Sequence, residues 1–210
     1  RIARELHDTL LQSIHGLMLK MGAAVWRLRE DERQPLQEAL DDARRVLGEG
    51  RDRVAGLCGE SVEQTGLALA IADYGRPLAR EAGVVFEVVT TGEPAALGSA
   101  LADDVFAIAR EAIWNAMLHA RAQHVCVTLD HAAQALLMTV ADDGRGIPRE
   151  VLAQGRRAGH WGIPGMRERA ARVGALAVTS REGGGTTWRL TVALRNVDRT
   201  GREDHAAAVM

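Results

Sequence analysis

"REAIWNAMLHA", Arg110 to Ala120, places Glu111, Asn115 and His119 at four-residue intervals, so all three lie along one face of a helix. A polar face turned to water is the competing reading of these residues alone. Further on, the strand-like "LLMTV" (Leu136–Val140) runs into "ADDGRGIP" (Ala141–Pro148), where Asp142, Gly144 and Gly146 form a DxGxG turn. A carboxylate there can accept from an exocyclic amine, and the glycines let the backbone approach a flat ring or a phosphate. Asp-Gly pairs are common in ordinary turns, so this signal is weak by itself. "GHWGIPGM" follows, with Gly159, Gly162 and Gly165 ahead of a helix, and "GGGT" closes the series at Gly185 and Thr186. Backbone amides at a glycine-rich helix start suit phosphate oxygens. The order of the four elements carries more than any of them singly: a polar helix face, an acidic turn, a phosphate-ready loop and a closing Gly-Thr.

Two other phosphate-binding routes are excluded. The chain has a single lysine, Lys20, far upstream of these stretches, so it contains no GxxxxGK[ST] loop. A GxGxxG fingerprint is also missing, which removes a dinucleotide-binding Rossmann fold. Phosphate charge must then be neutralised by a metal. Asn115, with or without Glu111, is the oxygen donor expected for Mg²⁺, an ion that keeps several waters and bridges phosphates.

Around this region the spacing predicts a helix over 67–82, a strand at "VVFEVVT", a helix over 100–119, and strands at "HVCVTLD" and "ALLMTVAD". A helix over "GMRERAARVG" and the strands "LAVTS" and "TTWRLTVAL" complete it. The pattern predicts an α+β two-layer sandwich with helices on one face of a mixed sheet. Upstream, Leu10, Ile14, Leu17, Met21, Ala24 and Leu28 alternate steps of four and three, as do Leu36, Leu40, Ala43, Leu47, Gly50, Val54 and Leu57 after the turn-prone "REDERQP". Two heptad seams joined by a short loop predict an all-α helical hairpin, and a lone hairpin cannot cover both stripes. Pairing two copies into a four-helix bundle covers them, so a homodimer is expected. The expected domains are 1–60, the hairpin; 61–195, the sandwich; and 196–210, a disordered tail, with a hinge between Gly59 and Gly66.

Within the first seam, "RELHDTLLQS" (Arg4–Ser13) sets His7 beside Asp8. At about 100° per residue, His7 projects roughly 60° from the stripe's centre, at the rim of the core. A surface histidine is the ordinary alternative. An unprotonated imidazole is nevertheless a good nucleophile toward phosphorus, and the adjacent Asp8 can take its other ring proton and keep it basic. Gln12, one turn beyond Asp8, can orient a water from the same exposed face.

Composition agrees with a globular chain of 210 residues: 47% of residues are apolar, and 26 basic against 28 acidic side chains give a net charge of −2. Interspersed charges leave no footprint for nucleic acid or an anionic membrane. Cys58 and Cys126 show no disulfide or metal spacing, as a reducing cytoplasm allows. No apolar run reaches the roughly 20 residues a bilayer span needs. The chain opens at Arg1 in mid-pattern and reads as a piece of a longer protein.

Together, "ELHDTLLQ", "REAIWNAMLHA", "DDGRGI", "GIPGMRERA" and "GGGT" resemble a two-component sensor histidine kinase over roughly residues 1 to 195, in the subclass with an HDxxxQ phospho-acceptor helix. Its catalytic domain resembles the ATP-binding (GHKL) fold shared by gyrase, Hsp90, MutL and histidine kinases. The resemblance implies that His7 accepts the γ-phosphoryl of ATP, with Asp8 as proton acceptor. Gln12, with Asp8, would align the water that hydrolyses a regulator's aspartyl phosphate. Asn115 would hold Mg²⁺, with Glu111 assisting at the metal or the attacking group. Asp142 would bind the adenine amine; Gly144, Gly146, Gly162, Gly165, Gly185 and Thr186 would shape the pocket; and His119 would reach a phosphate. The implied partners are a second copy and the receiver domain of a response regulator with a helix-turn-helix output domain. The implied location is the cytoplasm, or the cytoplasmic part of a membrane-anchored sensor. Departing from the usual GxGLxxM loop, "HWGIPGM" puts His160 where the first glycine belongs, with Gly159 one place early, and Trp161 is available as a clasp over a short lid. This departure leaves a nucleotide-binding pseudokinase as an alternative, beside an ATPase or serine kinase of the same fold.

Overall fold

Two long helices open the chain, α1 (Ile2–Val25) and α2 (Glu30–Cys58), joined by a turn in which the Leu28 amide donates to Val25 O. The computed structural model describes residues 2–25, 27–58, 66–94, 97–154 and 162–194, without the side chains of 2–12, 30, 41, 44, 45, 49–58, 153 and 154. The "REDERQP" stretch is shorter as a turn than its composition predicts. Helix α2 already begins at Glu30, and Pro35 lies inside it, past the amides that a helix start leaves free, so the Asp31 carbonyl lacks its usual helical donor.

Helix α1 uses two faces. Met18, Leu19 and Val25 are buried against the remainder of the chain, Gly22 lies against Leu118, and the His15 ring meets the rings of Tyr74 and Trp114. The heptad positions read from the sequence lie one residue back, roughly 100° round the helix. Two of them, Leu17 and Met21, are 58% and 47% exposed. The difference has a simple cause: the apolar arc of α1 is wider than one seam, and the single chain covers only its second half.

The remaining elements are α3 (Leu67–Ala82), β1 (Val85–Gly92), α4 (Ser99–His119), β2 (His124–Ala132), β3 (Ala135–Asp142), α5 (Arg149–Gln154), α6 (Gly162–Val173), β4 (Ala175–Ser180) and β5 (Thr186–Ala193). Gly83 ends α3 in the left-handed region at φ 71, its amide returning to Ala79 O, a cap that a side chain would strain. The five strands lie in the order β1-β2-β3-β5-β4. β1 and β2 run parallel, with α4 as their crossover, and the other pairs are antiparallel, giving the mixed sheet expected. The six-residue α5 is not foreseen by the sequence reading, being too short to show a period.

Period-two alternation fills one face of the sheet: Val125, Val127 and Leu129, then Leu136, Met138 and Val140, then Trp188, Leu190 and Val192 are all buried. Val105, Ile108, Ala109, Ala112 and Ile113 of α4 are buried in the same core. Arg172 of α6 holds α4 through Asp104, at 2.6 and 3.2 Å. Leu129→Ala, at a fully buried position, is expected to cost about 2–5 kcal/mol in urea unfolding, because the close-packed sheet and helices collapse only partly into the space left. No described helix is long and apolar enough to cross a membrane.

Candidate active site

Register brings the site together at one end of the sheet. Asp142, the last residue of β3, pairs with Thr186, the first of β5, and Thr186 in turn pairs with Ser180 at the end of β4. On one side of this row lies α4, and between them opens a cavity lined by Glu111, Asn115, His119, Asp142, Gly146, Gly162 and Thr186. These seven sequence-predicted positions therefore share one wall-to-wall site.

Asp142 Oδ1 accepts from the Gly144 amide at 2.9 Å and the Thr186 amide at 3.3 Å. Oδ2 takes no hydrogen bond among the described residues, so the acceptor capacity left over belongs to the cavity. Burial raises this carboxyl above its ordinary range; the two amides pull it back and the neighbouring Asp143 adds to the rise. Across the cavity, Asn115 Nδ2 donates to Glu111 Oε1 at 3.3 Å. That bond turns the Asn115 carbonyl oxygen into the group available for a cation. No cluster of three or more His, Cys, Asp or Glu exists among the described residues to hold a metal unaided. A pair of neighbouring oxygens suits an ion that takes most of its ligands from phosphates and water, as Mg²⁺ does.

The glycines divide by role. Gly162 abuts Glu111, where a Cβ would overlap Oε1, and so lets the start of α6 close on α4. Gly185, at φ 78, passes so near the Asp142 carbonyl that a Cβ would overlap it, and Gly144 passes Ala120 O in the same way. These two shape the turn behind Asp142 without lining the cavity. Gly165 is not among the lining residues, and a Cβ there would meet nothing within 4 Å. His7, Asp8 and Gln12 lie on α1, but their side chains fall outside the described residues, as do Gly159, His160, Trp161 and the tail from 195 onward.

The sequence reading passes over several wall residues. Ile147, Pro148, Val151, Ile163 and Trp188 supply an apolar wall, the surface a flat base needs. Trp188 was legible as core from its strand alternation, but not as wall. Gln37 reaches the cavity from α2, a placement no local pattern encodes. Asp143 is a further omission: its carboxylate turns away from the cavity and accepts the Gln123 and His124 amides at 2.7 and 2.9 Å, with His124 Nδ1 at 2.8 Å. The His124 amide foremost, then its ring, hold Asp143 down to about 2. Its contribution to stability is therefore fully present above the ordinary 3.8 and is lost as pH falls through about 2.

An acidic turn facing a polar helix across an apolar-walled cavity, on a mixed sheet covered by helices, defines an ATP-binding domain of the gyrase type. Residues 100–196 match the family of histidine kinase-, DNA gyrase B- and HSP90-like ATPases. The catalytic domain of the histidine kinase ThkA superposes with a TM-score of 0.50 over 62% of this chain and 92% of that one, at 15% identity, a likeness of fold. Residues 1–62 match a second family, described as histidine kinase. The chain belongs to the two-component sensor histidine kinases and carries their phosphoacceptor and ATPase domains. It is 29% identical over 189 residues to the nitrate/nitrite sensor protein NarX of Escherichia coli, across 88% of this chain and 31% of that protein. To an uncharacterized sensor-like histidine kinase of Chloroflexus aurantiacus it is 31% identical over 195 residues, across 89% and 32%. The chain thus spans about a third of the length of these two relatives.

Proposed function

We propose that this chain is an ATP-dependent protein histidine kinase core: it phosphorylates its own His7 and passes the phosphoryl group to an aspartate of a response regulator's receiver domain, one with a helix-turn-helix output domain. The observation that carries the reading is the convergence of Asp142, Asn115, Glu111 and His119 on one cavity, in a chain whose first helix bears an adjacent His-Asp pair. Asp142 accepts from the adenine amine, and the apolar wall from Ile147 to Trp188 takes the ring. Asn115, helped by Glu111, holds Mg²⁺, which when bound neutralises phosphate charge; His119 reaches a phosphate. In the transfer, a nitrogen of His7 forms a bond to the γ-phosphorus as the bond to the bridging oxygen breaks, ADP leaves and Asp8 takes the imidazole proton. The transfer asks for in-line placement and charge stabilisation above all. Gln12 and Asp8 then serve the reverse task, aligning a water on the regulator's aspartyl phosphate.

The working unit is a homodimer paired through residues 1–60, with 61–195 as the ATP-binding domain, on the cytoplasmic side. The test is incubation with Mg²⁺ and γ-labelled ATP beside His7→Gln. A label that is acid-labile, alkali-stable and missing from the variant is the expected result. Nucleotide binding without any label would overturn the kinase reading in favour of a pseudokinase, and label surviving in His7→Gln would point to another acceptor.

A further inference from the structure

Adjacent aspartates at the end of β3 face opposite ways. Asp142 lines the cavity, while Asp143 reaches back to the segment leaving α4. That segment needs holding: Arg121 has φ 54, an uncommon conformation for a residue with a side chain, and it sits two residues after His119. Three ties fasten it to the acidic turn. The Asp143 carboxylate accepts the Gln123 and His124 amides and meets the His124 ring. The Asp143 amide donates to His124 O at 3.3 Å, and the Arg145 amide to Ala120 O at 2.8 Å. Ala120 and Arg145 are themselves cavity wall, so the stapled segments are the two banks of the site near its base end.

We propose that Asp143, braced by His124, is a positioning residue for the nucleotide: it fixes the separation between Asp142, which holds the base, and the α4 face carrying Asn115 and Glu111, which holds the phosphate end. The proposal rests on the nucleotide-site reading above. The Asp143 carboxylate satisfies the Gln123 and His124 amides, which lie past the end of α4 beyond the left-handed Arg121, and it does so without lining the cavity. An aspartate accepts three donors here; asparagine keeps the Oδ1 acceptor for both amides but loses the charge. Alanine loses both. The effect on nucleotide affinity should therefore be graded by the number of ties kept.

The experiment is titration of the whole chain with ATP and with ADP, wild type beside Asp143→Ala, Asp143→Asn and His124→Ala, with unfolding midpoints measured in parallel. Asp143→Ala is expected to weaken both nucleotides about tenfold or more, and Asp143→Asn and His124→Ala each about two- to fivefold. The KM for ATP should rise with these losses while kcat at saturating nucleotide stays within about twofold, since the ties contribute to binding and not to the transfer step. Wild-type affinity retained in Asp143→Ala, or losses that track the folded fraction alone, would overturn the proposal. If Asp143→Ala does not fold, unchanged affinity in the other two variants would overturn it as well. A wild type that binds no nucleotide would instead sink the functional reading on which the proposal stands.

Discussion

Asp142→Asn is expected to weaken nucleotide binding about 100-fold, the equivalent of about 2.8 kcal/mol, and to leave the fold as stable as before or slightly more so. The argument runs through the two oxygens. Oδ1 is engaged by the Gly144 and Thr186 amides, so an asparagine orients with its own Oδ1 there and its amide nitrogen where Oδ2 was. A donor then faces the donor of an adenine amine, and the hydrogen bond between them is replaced by a repulsive contact in a part-buried site. Stability moves the other way because burial raises the Asp142 carboxyl above its unfolded value. The folded chain therefore binds that proton more tightly than the unfolded chain, and the group's contribution to stability declines as pH rises through the folded pKa. A neutral amide removes the penalty at pH 7. The same shift gives wild-type affinity a pH dependence, falling as the medium is acidified toward the raised pKa, that the variant lacks. Isothermal titration with ADP between pH 5 and 8, beside urea unfolding, checks all three statements. Equal affinity in both proteins would remove Asp142 from the base site.

The site was legible where chemistry had to be local. Glu111, Asn115 and His119 follow from helical spacing, and Asp142 and Thr186 from strand ends flanked by glycines; the register of β3 against β5 then places them at one end of the sheet. What escaped was made by contacts between segments distant in sequence. Asp143 looked like half of an ordinary Asp-Asp-Gly turn because its partners, Gln123 and His124, lie 20 and 19 residues away. Gln37 enters from another helix altogether. The apolar wall escaped because residues such as Trp188 and Ile163 follow the same apolar pattern whether they face a neighbour or a ligand. In the hairpin, alternating three- and four-residue steps are satisfied by two offset stripes on α1, and only the fold shows which of them the chain covers itself.

Leu17→Glu combined with Met21→Glu is expected to convert the proposed homodimer to a monomer that still binds nucleotide. Both side chains are about half exposed in the single chain, while Met18, Leu19 and Val25 on the adjoining stripe are 4%, 6% and 5% exposed. The two stripes thus have different clients. One rests on α3 and α4, with Gly22 against Leu118 and His15 between Tyr74 and Trp114; the other is available to a second copy, together with Leu36 of α2. In a twofold bundle the same patch meets itself, so the two substitutions place four carboxylates in one apolar seam, desolvated and facing like charge. At a few kcal/mol for each buried charge, the dimer weakens by at least about 10⁴-fold. Met18→Glu separates the two roles: its charge enters the contact with the ATP-binding region and is expected to lower stability by about 3 kcal/mol while the dimer survives. Sedimentation equilibrium paired with nucleotide titration distinguishes the cases. A dimer that persists in Leu17→Glu/Met21→Glu would move the interface off this seam. A monomer in which nucleotide still binds, but His7 no longer acquires label, would show that the acceptor comes from the partner protomer, because each α1 keeps its packing on its own α3 and α4 through the second stripe.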